Sequence, residues 1–215
     1  MILPPEDAAL FYRAWWPLLK WVNDKRRVVP PFALPTPERP LSIPVANPIR
    51  QLLWGDDALR ELYLAEGAPE PGQRSELIAS WKHRVSGDFV VLKHLRAHSI
   101  FLSKEVFGVV GIYSPLAELL RAVPAFATAV LLPFGDRIII DGILTSPDIR
   151  LSFGAGARRS FETQYSSARA QGQIRTSLLP TTPPVSTKRP PVTRARSVAA
   201  APPILGTWQI TETEL

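Results

Sequence analysis

The stretch AFATAVLLPFGDRIIIDGIL, residues 125–144, decides the fold class. Two apolar runs, 125–134 and 137–144, flank Gly135-Asp136. Glycine supplies the positive φ that a tight hairpin turn needs, so this pattern predicts two antiparallel strands joined at that dipeptide. Asp141 and Gly142 interrupt the second run. An acid in an apolar strand followed by glycine predicts a bulge or a close backbone approach there, and a buried carboxylate needs a partner. Arg137, Arg150, Arg158 and Arg159 are the arginines nearest in sequence for a structural ion pair with Asp141.

More strands surround the hairpin. DFVVLKHL, HSIFLS and VFGVVGIY precede it and IRLSF follows it, all β-branched runs bounded by turn residues. PLAELLRAV reads as a short helix between strands, and GARRSFETQYSSARAQG as a closing helix. Before Gly87 the period changes. Leu10, Phe11, Ala14, Trp15, Leu18, Leu19 and Val22 recur at helical spacing, with Pro17 predicting a kink or break among them. Seven prolines between Pro30 and Pro48 predict an extended connector. Asn47-Pro48 then reads as a helix start, Asp56 as the cap of a helix ending at Gly67, and Ser75 as the cap of SELIASWKHRV. Helices followed by strands give an α+β fold: a helical N-terminal part packed on a small antiparallel β-sheet, with a closing C-terminal helix. The expected division is a helical lobe over 1–86 with its connector at 30–48, a sheet plus helix over 87–178, and a disordered proline-rich basic tail over 179–215. Within that tail, Trp208 marks either a short docking peptide or a terminal extension.

Composition narrows the chemistry. The 215 residues include no cysteine, which excludes disulfides, thiolate metal sites and cysteine nucleophiles. Glu6 and Asp7 ahead of the first apolar run, and no apolar run of membrane-spanning length, predict a cytoplasmic protein without signal peptide or membrane segment. The net charge of +6 and pI near 10.0 suggest nucleic acid. However, Lys188, Arg189, Arg194 and Arg196 against Glu212 and Glu214 place +2 in the tail and leave the body at +4. Protein and nucleic-acid partners both stay open, and nothing calls for a cofactor.

Three clusters could carry chemistry. In WKHRVSGDF, His83 is a candidate base, Arg84 an anion clamp and Asp88 an orienting acid; the structural alternative is an Arg84–Asp88 pair beside a packed Trp81. His94 and His98 are four apart, but on a strand, turn, strand pattern without cysteine this does not amount to a metal site, and His94 is expected to face outward beside Lys93 and Arg96. In LSFGAGARRSFETQ, Gly154 and Gly156 precede a helix whose first turn holds Arg158 and Arg159. Free backbone donors and two guanidinium groups there make an anion-binding turn. The glycine pattern lacks the third glycine of a dinucleotide site and the Gly-Lys-Ser/Thr of a P-loop, and the arginines could instead pair with Glu162 or Asp141. These residues support a binding module first. The alternative is an enzyme acting on a phosphorylated or nucleic-acid substrate, using His83, Asp88 or Asp141 for proton transfer.

The motifs SWKHRVSGDFVVLKHL, VFGVVGIYSP, VLLPFGDRIIIDGIL and LSFGAGARRSFETQY, in this order, resemble a family of uncharacterised prokaryotic proteins from about Phe11 to Leu178. That resemblance implies the same helical-then-strand order and carries no activity or ligand. The tail after Leu178 departs from it.

Overall fold

The computed structural model describes residues 1–36, 39, 41–68, 72–146 and 153–180. The expected tail over 179–215 lies outside these from 181 onward, as do the Trp208 segment and most of the IRLSF strand.

The predicted apolar stripe of the first helix is fully buried, and the helix, α1 (Pro5–Arg26), runs unbroken through Pro17. Pro17 removes one donor, but Arg13, whose carbonyl would have accepted that bond, is exposed, so water can take its place. Arg27 closes α1 in the left-handed region at φ 51° and donates to the Asn23 carbonyl at 2.6 Å. Asn23 then turns the chain by both accepting from and donating to the backbone of Val29. The second helix, α2 (Ile43–Gly55), starts five residues earlier than Asn47-Pro48 predicted, because Pro44 already suits the first turn. Asp56 caps α3 (Asp57–Leu62) through the Ala58 amide at 3.1 Å, and a wider turn extends it to Gly67. Helix α4 (Gln73–Ser80) is capped at Gly72 rather than at Ser75, whose hydroxyl reaches back to the Gly72 amide at 2.9 Å.

The strands are β1 (Val85–His94), β2 (Ser99–Leu102), β3 (Val106–Val110), β4 (Ala125–Phe134), β5 (Arg137–Thr145) and the short β6 (Ile174–Arg175). The small helix α5 (Leu116–Leu119) lies between β3 and β4, and α6 (Ala155–Ala170) follows β5. The sheet is mostly antiparallel, but its ends meet. The pairings run β1–β2–β3–β5–β4 and back to β1, with β3 and β5 parallel through Val109↔Ile138 and Val110↔Ile139. Closure leaves no long edge strand, and β6 adds to the remaining stretch of β3. All five strands contribute to the interior, among them Phe89, Phe101, Phe107, Leu131 and Ile138, and Leu116 and Leu120 join the same cluster from the α5 segment. This strand order, with a helix between the third and fourth strands, is that of an OB-type Greek-key barrel. Gly135 makes the predicted hairpin turn at φ 57°. The predicted irregularity is present in β5, where the register with β4 shifts across Asp141 and Gly142.

Alternation gives each strand an outward face, and two layers cover it. Val130, Leu132, Ile139 and Ile143 pack under α1 and α2 with Phe11, Trp15, Ile49, Leu53 and Trp81. Val90, Leu92, Ile100, Leu102 and Val106 pack under α6 with Tyr165 and Ala168. Each such large side chain contributes roughly 1.5–3 kcal/mol on burial. The fold is therefore α+β, with helices on two outer faces of one closed barrel.

Candidate functional site

Asp141 points outward from the barrel into the helical layer and is fully buried. Its partner is none of Arg137, Arg158 and Arg159, and Arg150 lies outside the described residues. Arg50 of α2 donates through Nε to Oδ2 at 2.5 Å, Trp54 Nε1 donates to the same oxygen at 2.8 Å, and the Ile143 amide donates to Oδ1 at 3.3 Å. Burial pushes the Asp141 carboxyl up from the usual carboxylate range, while the Arg50 guanidinium and the other donors pull it down. Trp54 itself stacks on Trp15 at 5.6 Å and meets Trp81 edge-on. Arg137 turns elsewhere, to Asp7 at 3.1 Å.

The WKHRVSGDF cluster does not assemble as an Arg84–Asp88 pair. Arg84 lies over the Trp54 ring, donates to the Trp54 carbonyl at 3.0 Å and pairs with Asp57 at 2.6 Å, which holds that carboxyl below its usual range. Asp88 accepts from the Thr128 hydroxyl on an exposed part of the barrel wall. His83 ends a half-buried turn after α4. Among the described residues no hydrogen bond or ion pair joins His83, Asp88 and Asp141, and Asp141 is fully buried while Asp88 is exposed.

His94 does not face outward with Lys93 and Arg96. It bridges the Ser99 hydroxyl at 2.8 Å and the Leu120 carbonyl at 2.9 Å, tying the β1–β2 hairpin to the segment that plugs the barrel. His98 lies against Gly108, and burial lowers its imidazole pKa. No group of three metal-ligating side chains occurs among the described residues.

At the Gly154–Arg159 turn, the space beside both Gly154 and Gly156 is open, so neither glycine serves close packing. Arg158 donates to the Phe153 carbonyl at 3.1 Å, Arg159 is exposed, and Glu162 is taken by Lys93 at 2.7 Å. The outer face of β2 and β3, where OB-type barrels bind oligonucleotides, is covered by α6.

The feature that sequence reasoning missed is a groove of about 800 Å³ beside α1. Its floor is a second stripe of that helix, with Tyr12, Arg13 and Trp16 beside the buried one; Leu34 of the connector, Arg74 of α4, Tyr113 after β3 and Gly142 of β5 complete it. Trp16, Tyr12 and Tyr113 form a continuous stack, with centroid spacings of 4.9 and 5.3 Å and interplanar angles of 26° and 6°. Burial, reinforced by Tyr113, pushes the Tyr12 phenol up to about 12. Tyr113 remains 52% exposed. Arg13 and Arg74 are exposed and, among the described residues, meet no carboxylate within ion-pair distance. They also line a second hollow of about 290 Å³ with Leu10, Gly72 and Gln73. The Tyr12, Arg13, Trp16 spacing is visible in the sequence as an aromatic i,i+4 pair. Its convergence with Arg74, Tyr113 and Gly142 is a product of the fold. No protein-family model, curated protein or solved structure matches the chain.

Proposed function

We propose that the protein is a non-catalytic binding module, acting in the cytoplasm, whose principal ligand surface is the groove between α1, the connector and Tyr113. The observation that carries this reading is the chemistry of the lining: stacked aromatic rings, apolar side chains and two guanidinium groups, with no carboxylate and no imidazole among the described residues. Such a surface holds a ligand with an apolar or planar body and a negative charge, and offers little for moving protons. The enzyme reading needs His83, Asp88 and Asp141 to converge on a substrate. Against it stand the deep burial of Asp141 under α2 and its saturation by Arg50, Trp54 and Ile143. The Gly154–Arg159 turn is a second place for an anion, supported by exposed Arg158 and Arg159, the former already donating from Nε to the Phe153 carbonyl. Kinship with the prokaryotic proteins whose motif order the chain resembles is part of the same proposal and rests on those motifs.

Titration with the anionic fluorophore anilinonaphthalene sulfonate tests where the binding surface lies. Binding is expected to weaken in Tyr113→Ala and Arg74→Gln and to be unchanged in the double variant Arg158→Gln, Arg159→Gln. The reverse pattern would move the site to the turn before α6.

A further inference from the structure

We propose that the groove takes a nucleoside phosphate as a free small molecule, its base continuing the stack of Trp16, Tyr12 and Tyr113 and its phosphate held by Arg13 and Arg74. The proposal rests on the binding reading above and adds the ligand's chemistry to it.

The rings supply the first argument. Three aromatic rings already lie in an offset stack, with centroids 4.9 and 5.3 Å apart, and the array ends at Tyr113, half of whose surface is open. A planar heterocycle extends such an array, whereas an alkyl chain gains nothing from ring orientation. The guanidinium groups supply the second. Arg13 and Arg74 stand at the boundary between the groove and the smaller hollow, and among the described residues no carboxylate lines either space. Two planar donor forks without a carboxylate partner match phosphate oxygens in both charge and geometry. The second hollow gives a phosphate chain room beyond the first phosphate. Size supplies the third argument, and it selects the free nucleotide over a strand. A space of about 800 Å³ lies within the usual range for small-molecule sites, whereas a nucleic-acid strand follows a longer basic track than two arginines provide. Tyr12 contributes a hydroxyl beside Gly142, at 3.9 Å from the position a Cβ there would occupy. That hydroxyl is available to a ribose or base edge.

Equilibrium dialysis of the full chain against AMP, ADP, adenosine, inorganic phosphate and oligoadenylate tests the proposal. AMP and ADP are expected to bind, and adenosine about tenfold or more weakly, since each charge-assisted contact is worth roughly that factor. Inorganic phosphate is expected to compete poorly, and oligoadenylate to bind no more tightly than ADP. Tyr113→Ala and Arg74→Gln are each expected to weaken AMP about tenfold, the typical effect of removing one stacking platform or one charged donor. Both positions are exposed, so an unchanged melting curve separates lost binding from lost folding. Binding of adenosine equal to that of AMP, binding of oligoadenylate alone, or no nucleotide binding overturns the proposal. If nucleotides fail while the fluorophore still depends on Tyr113, the groove reading stands without its nucleotide. If the fluorophore fails too, both fall.

Discussion

Asp141 and Gly142 are neighbours on β5, yet they belong to opposite kinds of environment. Asp141 turns under α2, where an arginine, an indole and a backbone amide meet its carboxylate and no water reaches it. Gly142 opens onto a groove whose two arginines have no carboxylate among the described residues. In the first environment the carboxylate is met from within, although Arg50 Nη2 is buried without a hydrogen-bond partner among the described residues, and the pair ties the helical layer to the barrel. The second is open to solvent, and its two exposed guanidinium groups are what the binding proposal rests on. The charged residue in the apolar strand serves packing, and the groove borders the glycine one residue further on.

The largest effect expected from breaking this contrast is at the buried pair. Asp141→Ala leaves the Arg50 guanidinium buried without its acceptor and is expected to cost roughly 3–5 kcal/mol in urea unfolding. A loss below about 1 kcal/mol would mean that water reaches Arg50 after all. Next comes Tyr12. Its phenol lies at about 12 in the folded protein against about 10 when free, so the folded state favours the protonated form. The stability this provides is complete below pH 10 and is lost as pH rises through 12, about 2–3 kcal/mol in all. Tyr12→Phe is expected to flatten that alkaline loss, read from thermal melts between pH 9 and about 12. Gly142→Ala places a side chain at φ 91° and is expected to cost about 1–2 kcal/mol in the same melts. The smallest effect sharpens the contrast most: Tyr113→Ala is expected to cost no more than about 1 kcal/mol, because a ring half open to solvent contributes little to folding beyond its stack on Tyr12.

Local patterns carried much of the fold. The buried stripe of α1, the Asp56 cap, the Gly135 turn and the irregularity at Asp141-Gly142 each follow from the period or conformational freedom of a few neighbouring residues. Pro17 does not break α1, since Arg13, whose carbonyl it leaves free, lies on an exposed face where water can bond to it. Barrel closure was not legible, since it depends on Val109 meeting Ile138 and Val110 meeting Ile139, parallel pairs that no hairpin signal announces. The Asp141 partner lay 91 residues away in a helix, beyond any reading of nearby charges. Of the groove, only the Tyr12 and Trp16 pair could have been seen in advance; Arg74, Tyr113 and Gly142 arrive from three other elements.

The chain has six tryptophans, which gives the central claim a direct readout in a proton–nitrogen correlation spectrum. On addition of AMP, the indole signal of Trp16 is expected to shift, while those of Trp54, bonded to Asp141, and of buried Trp81 stay in place. Movement of the Trp54 signal, or of the amides around Gly154 to Arg159, with Trp16 unmoved, would contradict the assignment of the groove as the binding site.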